Sequence, residues 1–329
     1  MYLVRELEGA GASFAAKKVL CQSAEQLEGA HAEVAAMERF HHPNLLELLA
    51  HETVREGRGG RAVVYFLTPA YLEGSLVDFV ERVKAGVGGR AGEGGGPGGP
   101  CRIPADQVLR IFLQVCDGLR CMHEHDPPFA HRDIKPHNVL VRGPGGPGGW
   151  ARPGEGAVEA VLMDFGSVRE ARRTVSSRLE ALRLQEEAEA HCTAAYRAPE
   201  LFDVPSECTV DEKVDIWSLG CCLYYLLRGE SPFEYALGST GGSIALAVLS
   251  GKYSWDGPGL CDSGGAEEGA LRGLVDACLS QDPTARPSVQ ELARRCRALL
   301  DDDRTGPEDG RDAPSPAPEE VATEPGQRV

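Results

Sequence analysis

The stretch AHRDIKPHNVLV, residues Ala130 to Val141, places His, Arg, Asp, Lys, His and Asn within eight consecutive positions, framed on both sides by apolar sequence. A core does not hold such a cluster, because charge buried without a partner is expensive. An ordinary surface loop is not framed so tightly by residues that favour burial. Acid, base and amide groups at short spacing between two buried anchors suit a reaction site, where polar groups must be held rigidly. Three further motifs follow in order: DFG at Asp164 to Gly166, APE at Ala198 to Glu200, and DIWSLG at Asp215 to Gly220.

Composition limits what the cluster can serve. The 329 residues suffice for one large or two modest domains with a sizeable core. With 42% hydrophobic and 26% charged residues, the chain has the make-up of a globular protein. A formal net charge of −16 argues against bulk nucleic-acid binding, which calls for the opposite sign. Part of that charge is local: residues 301–329 carry nine acidic and three basic side chains among prolines, and they read as a disordered tail. The 11 cysteines are odd in number and form no CxxC pair, as expected of reduced thiols in a cytoplasmic protein. The sequence shows no zinc spacing, no run long enough to span a membrane and no secretory signal. Tyr2 stands where N-myristoylation requires glycine.

Periodicity divides the chain. MYLVREL and SFAAKKVL read as two strands joined by the small-residue turn EGAGA. Ser23 and Gln26 have the spacing of a capping box opening a helix on which Ala30, Glu33 and Met37 share a face. NLLELLAHE and RAVVYFLTPAY read as further strands. After Gly74 the pattern turns helical. Val108, Ile111, Phe112, Val115, Leu119 and Met122 make one apolar stripe, and VDIWSLGCCLYYLLRG is apolar on nearly all sides, as a helix at the centre of a second lobe would be. Glycine-rich tracts at 86–100 and 143–149 read as flexible insertions in surface loops.

The ordered set H-R-D-x-K-P-x-N, DFG, APE and DIWSLG resembles the eukaryotic protein kinases, and the lysine two residues after Asp133 resembles their serine/threonine branch. The resemblance implies an α+β, bilobal protein-kinase-like fold with a small β-rich N-lobe over 1–68, a hinge at 69–74 and a larger α-helical C-lobe over 75–300. Residues 1–300 would then be the kinase domain and 301–329 the tail. It also implies ATP and Mg2+, with serine and threonine hydroxyls of proteins as acceptors. Phosphoryl transfer needs in-line positioning and cancellation of negative charge. By the resemblance, Asp133 accepts or orients the substrate hydroxyl proton, and Lys135 steadies the transferring phosphate. Asn138 and Asp164 hold Mg2+ through oxygen ligands. His131 and Arg132 brace the loop, and His137 is a bystander.

The N-lobe must supply a lysine for the α and β phosphates. In FAAKK, alternation after Ala15 points Lys17 inward, matching the Ala-x-Lys of the kinase strand, and Lys18 outward. Glu33, on the core-facing side of its helix, is the expected partner of Lys17. The resemblance makes Thr68 the gatekeeper, Pro69, Ala70 and Tyr71 the hinge beside adenine, and Leu140 the residue beneath it. Pro69 has no backbone N–H, so hinge hydrogen bonds must use other peptide groups. Glu200 should pair with Arg286, and Asp215 should cap the catalytic-loop backbone; both are fold roles.

The segment between DFG and APE is long and contains a plausible helix, RLEALRLQEEAEA, with Leu179, Leu182 and Ala188 as a modest apolar face. With YRAPELF and DEKVDIWSLGC it is similar to the Numb-associated kinases. That likeness implies an activation segment ordered by its own helix, and puts Thr193 in the peptide-binding turn near Asp133 and Lys135. Phosphate on Thr174, Ser176 or Ser177 could gain bonds to Arg132, Arg169, Arg172, Arg173 or Arg178. A helix that already orders the segment leaves such a phosphate little to do.

The chain departs from the kinase pattern at its start. GAGASF, Gly9 to Phe14, has a partial phosphate-loop pattern, but only five residues separate Gly11 from Lys17. That is too few for the rest of one strand, a turn and a second strand. EGAGA is therefore expected to be a hairpin turn, and the first strand, the glycine loop and any acylated N-terminus are expected to be absent from this sequence. Membrane association would depend on that acylation. Two readings stay open: an active serine/threonine kinase from an N-terminally incomplete sequence, or a pseudokinase or signalling scaffold without efficient turnover. The presence of Lys17, Glu33, Asp133, Asn138 and Asp164 together favours the first.

Overall fold

The structure, a computed structural model, describes residues 1–6, 13–56, 61–85, 90–91, 101–143, 158–235, 242–256, 259–262 and 265–304. The EGAGA turn, most of both glycine-rich tracts and residues 305–329 lie outside them.

Period-two alternation builds the small lobe. Strands β1 (Tyr2–Arg5), β2 (Ser13–Cys21), β3 (Ala50–Glu56) and β4 (Arg61–Pro69) form an antiparallel sheet in the order β1-β2-β4-β3. Interior strand β4 buries Ala62, Val63, Val64 and Phe66. Helix α1 (Ala24–Arg39) buries Ala30, Glu33, Val34 and Met37. Ser23 caps it by accepting from Gln26 N at 3.2 Å, but the Gln26 side chain accepts from Gln22 N at 2.7 Å, so the expected capping box closes one residue early.

The strand expected over NLLELLAHE begins only at Ala50. The residues before it bridge the lobes instead. Leu46 N donates to Leu162 O, Leu162 N to Asn44 O, and the Asn44 amide to Ala160 O, each at 2.9 Å. A Cβ on Gly118 would lie 2.7 Å from Asn44 O, so only glycine allows the C-lobe helix to approach this closely.

The C-lobe opens with α2 (Leu76–Lys84), capped by a complete Ser75–Asp78 capping box. β5 (Arg90–Ala91), inside the stretch read as an insertion, pairs with β6 (Cys101–Pro104), which leads into α3 (Ala105–His123). All six residues of the expected α3 stripe are buried. Short strands β7 (Phe129–Ala130), β8 (Val139–Arg142) and β9 (Glu159–Leu162) frame the polar loop. Beyond them lie β10 (Arg169–Glu170), β11 (Arg173–Val175), α4 (Arg178–His191) and β12 (Cys208–Val210). Helix α5 (Lys213–Arg228) buries every residue from Val214 to Leu227 and forms the axis of the lobe. α6 (Pro232–Tyr235), α7 (Ile244–Ser250), β13 (Cys261–Asp262), α8 (Gly265–Cys278) and α9 (Val289–Arg304) complete it.

Two expectations need correction. Helix α9 runs to Arg304, so residues 301–304 are helical rather than part of the tail. Helix α4 buries Ala181, Leu184 and Ala188, while Leu179 and Leu182 are exposed. The inward face is the i, i+3, i+7 set, and Leu179 and Leu182 fall outside that arc. The ten cysteines whose side chains the structure describes are all free, and among the described residues no helix is long and apolar enough to cross a membrane.

Arg286 locks the lower half of the lobe. Its side chain has no solvent access. It holds Glu200 in a fork at 2.7 and 2.8 Å, donates to the Lys213 and Ser280 carbonyls at 2.9 Å each, and lies 5.1 Å from the Trp217 ring. Removing one partner of such a buried pair leaves the other charge uncompensated. Arg286→Ala should lower the unfolding free energy by about 3 kcal/mol or more, read from urea unfolding followed by circular dichroism.

Candidate active site

The polar loop is built on Asp215. Arg132 adopts a left-handed φ of 67°, which turns consecutive backbone N–H groups toward one carboxylate. His131 N donates to Asp215 Oδ2 at 2.7 Å and Arg132 N to Oδ1 at 2.8 Å, while His123 Nε2 donates to Oδ2 at 2.9 Å. Burial alone would raise the Asp215 carboxyl. The hydrogen bond and charge of His123, the nearby His131 and the Arg132 N–H outweigh it and hold the group below the usual carboxylate range. His131 Nε2 donates to Met163 O at 3.1 Å, and its ring lies 6.0 Å from the buried Phe165 ring. The loop is thereby fastened to the DFG turn as well as to α5.

Its other side carries the polar groups. The Asp133 carboxylate accepts from Lys135 Nζ at 2.6 Å, Asn138 Nδ2 at 3.1 Å, Thr193 N at 3.0 Å and Thr193 Oγ1 at 2.8 Å. Lys135 also donates to Thr193 Oγ1 at 2.8 Å. The Asn138 amide reaches Asp133 O at 2.8 Å as well. His137, on the same turn, is exposed. Asp164 has a left-handed φ of 69° and is exposed.

The N-lobe faces this loop with a closed ion pair. Lys17 Nζ lies 2.7 and 2.9 Å from the two Glu33 carboxylate oxygens. Burial raises the Glu33 carboxyl above its ordinary value, Lys17 pulls it down, and the charge of Asp164 pushes it up again. A Cβ on Gly166 would sit 3.4 Å from Asp164 Oδ1 and 3.9 Å from Glu33 Oε2, so the glycine keeps open the space between the two carboxylates. Lys18 is exposed beside the Tyr65 ring. Ala15 lies opposite Thr68 across β2 and β4, and Thr68 is buried. Leu140 bridges to Ser75 just past the hinge stretch.

Sequence reasoning missed several neighbours. Arg142 stacks over the Tyr71 ring at 4.2 Å, pairs with Glu159 at 3.3 Å and donates to Ala70 O at 3.4 Å. Tyr71 Oη donates to Glu159 at 3.3 Å, and burial together with the Glu159 charge pushes the phenol up to about 12. This knot ties residues 70 and 71 to the β8–β9 hairpin. Glu187 of α4 holds both Arg132, at 2.9 Å, and Arg173. No local signal pointed to Arg142, Glu159 or Glu187, because each is an ordinary charge in its own segment.

A lysine–glutamate pair under a small sheet, facing a carboxylate loop anchored on a buried helix, is the arrangement of a protein kinase. The protein kinase domain family matches residues 3–295, and the chain belongs to that family. It is 35% identical over 289 residues to serine/threonine-protein kinase 16 of Rattus norvegicus and to the Homo sapiens protein of that name, covering 88% of this chain and 82% of each relative. It is 28% identical over 323 residues to serine/threonine-protein kinase ENV7 of Saccharomyces cerevisiae, covering 85% of this chain and 80% of that one. The family is that of serine/threonine protein kinases.

The anchor makes a prediction about acid. Asp215 has a lower pKa folded than unfolded, so its contribution to stability is present above the ordinary carboxylate range and is lost as pH falls through its folded value. Asp215→Asn should cost about 2 kcal/mol or more at neutral pH. The gap between wild type and variant in urea-unfolding free energy should narrow as the pH is taken down through the carboxylate range.

Proposed function

We propose that this chain transfers the γ-phosphoryl group of Mg·ATP to serine and threonine hydroxyls of proteins, with residues 1–300 as its kinase domain and 69–74 as the hinge. The observation that carries the proposal is the Lys17–Glu33 pair, closed at 2.7 Å beside Asp164. A scaffold has no need of Lys17, Glu33, Asp133, Asn138 and Asp164 all together. The donor set fits Mg2+. The Asp164 carboxylate makes no hydrogen bond or ion pair among the described residues, and Asn138 commits only its amide N–H groups, leaving its oxygen as a hard ligand. When bound, Mg2+ supplies charge cancellation on the phosphates.

The chain's own residues do the rest. Lys17, aimed by Glu33, would take the α- and β-phosphate oxygens, and Thr68 with residues 69–71, Ala15 and Leu140 would surround adenine. A carboxylate has about four lone-pair sites, and protein donors fill those of Asp133. A substrate hydroxyl therefore enters by replacing one of them. Lys135 is the donor that can leave, since its ammonium gains a better partner in the incoming phosphoryl oxygens. Asp133 then orients the hydroxyl and takes its proton as the substrate oxygen bonds to the γ-phosphorus and the bond from that phosphorus to the β,γ-bridging oxygen breaks, releasing ADP. Thr193, at both Asp133 and Lys135, would close the floor under the accepting residue.

Within the family we place the chain among the Numb-associated kinases, on the strength of the helix α4 inside its activation segment. Glu187 on that helix offers Arg132 and Arg173 the negative charge that a phosphate would otherwise bring. Ser177 is engaged as the cap of α4, accepting from Glu180 N at 3.3 Å. Thr174 and Ser176 are the exposed hydroxyls left for modification.

Two measurements test this. Asp133→Asn should reduce transfer of labelled γ-phosphate from Mg·ATP to serine and threonine peptides about a hundredfold or more, with the melting temperature kept. Undiminished turnover would refute the assignment, and a folded wild type with no turnover would favour the scaffold. Thr174→Ala combined with Ser176→Ala should leave the rate at the wild-type level, whereas Glu187→Ala should lower it. The opposite ranking would mean that phosphate, and not the helix, orders the segment.

A further inference from the structure

Outside the catalytic cleft, a pocket of about 80 Å³ opens where α5 ends. Leu227 and Cys261, both buried, form its floor, and three arginines line it: Arg102, Arg228 and Arg272, with Trp255 and Glu268. None of these residues belongs to the site described above.

Four separate segments bring these groups together, and backbone ties hold them. Leu260 N donates to Leu227 O at 2.8 Å and Ile103 N to Leu260 O at 2.7 Å, while β13 pairs in parallel with β6. The strand carrying Arg102 is thereby fastened to the last turn of α5. Arg228 is held by a hydrogen bond from Nη2 to the Asp256 carbonyl. Arg272 lies 4.9 Å from the Trp255 ring and donates to Glu268 at 2.5 Å. Arg102 is exposed, and its side chain makes no hydrogen bond or ion pair among the described residues.

Among the described residues, three guanidinium groups and one carboxylate therefore line a small pocket on a chain whose net charge is −16. Concentrating like charge costs energy unless an anion shares the site. We propose that this pocket binds a phosphate monoester. Its volume is that of a single phosphoryl group. Guanidinium forks match the geometry of phosphate oxygens, and a monoester carries about −1.5 to −2 at neutral pH, close to the local excess of positive charge. Trp255 offers an apolar wall to the carbon arm of a phosphorylated side chain. The same phosphoryl chemistry is presented by free inorganic phosphate and by a phosphoserine in a protein segment, the product class of the proposed reaction.

The test is isothermal titration of the full chain, in phosphate-free solution and with a non-hydrolysable ATP analogue and Mg2+ present to fill the catalytic cleft. The titrants are inorganic phosphate, a phosphoserine peptide and the same peptide unphosphorylated. The phosphorylated peptide should bind and the unphosphorylated one should not. Arg102→Gln and Arg272→Gln should each weaken binding about tenfold or more. Tighter binding of the peptide than of phosphate identifies a phosphorylated protein segment as the ligand, and equal affinities identify the phosphate group alone. Arg272→Gln also removes the contact with Trp255. If that variant unfolds, Arg102→Gln decides the matter, since the Arg102 side chain has no partner among the described residues. No binding of either phosphate compound, or binding that Arg102→Gln leaves intact, overturns the proposal.

Discussion

A carboxylate with no access to solvent must be satisfied by the chain around it, and Asp215 is satisfied by two backbone N–H groups of the loop it organises and by His123 of α3. Two successive backbone N–H groups can meet one carboxylate only if the chain turns sharply between them, which is why Arg132 takes a left-handed backbone conformation that non-glycine residues rarely adopt. Asp133 follows directly on that turn, with its carboxylate held by Lys135, Asn138 and Thr193. The strain is tolerated because α5 cannot yield: every residue from Val214 to Leu227 is buried. Arg286 ties the first turn of the same helix to Glu200. One buried helix thus sets both the polar loop and the end of the activation segment.

Around this anchor, charge is arranged in short closed circuits. Lys17 answers Glu33, and Lys135 with Thr193 answers Asp133. Glu187 answers two arginines, and Arg142 answers Glu159 and Tyr71 together. Apart from Lys17–Glu33, which joins the consecutive elements β2 and α1, each circuit includes a residue from a separate part of the chain and so reports on tertiary arrangement. The first two lie at the cleft and stay partly accessible, where an incoming phosphate can compete for the cations. The other two bind the activation helix and the hinge stretch to the body of the C-lobe. Asp164 stands outside these circuits among the described residues, which is what its proposed role as a Mg2+ ligand requires.

Much of this was legible before folding. The α3 stripe, the all-round apolar α5 and the inward turn of Lys17 follow from periodicities of 3.6 and 2, which a chain obeys locally. The alternation of FAAKK was enough to choose Lys17 over Lys18. Periodicity failed where the chain is neither helix nor sheet. NLLELL is apolar enough for a strand, but its backbone is used to join the lobes through Asn44 and Leu46. On α4 the face that packs is Ala181, Leu184 and Ala188; of the residues expected there only Ala188 is buried, and Leu179 and Leu182 are exposed.

The amino-acid sequence by itself determined the fold family, the order of the reactive groups and the elements that carry them, because those depend on side-chain type at short fixed spacing. Beyond the Lys17–Glu33 and Glu200–Arg286 pairs, tertiary structure alone decided which charges meet. Arg142 and Glu159 lie on neighbouring strands and come together with Tyr71 only when the β8–β9 hairpin packs behind the hinge stretch. Glu187 finds Arg132, 55 residues away in sequence, only once α4 lies against the loop. Arg102, Arg228 and Arg272 converge through the pairing of β6 with β13 and the end of α5. Coulomb and hydrogen-bond energies depend on distances of a few ångströms. Those distances are set by how separate elements pack, and no local pattern in the chain encodes them.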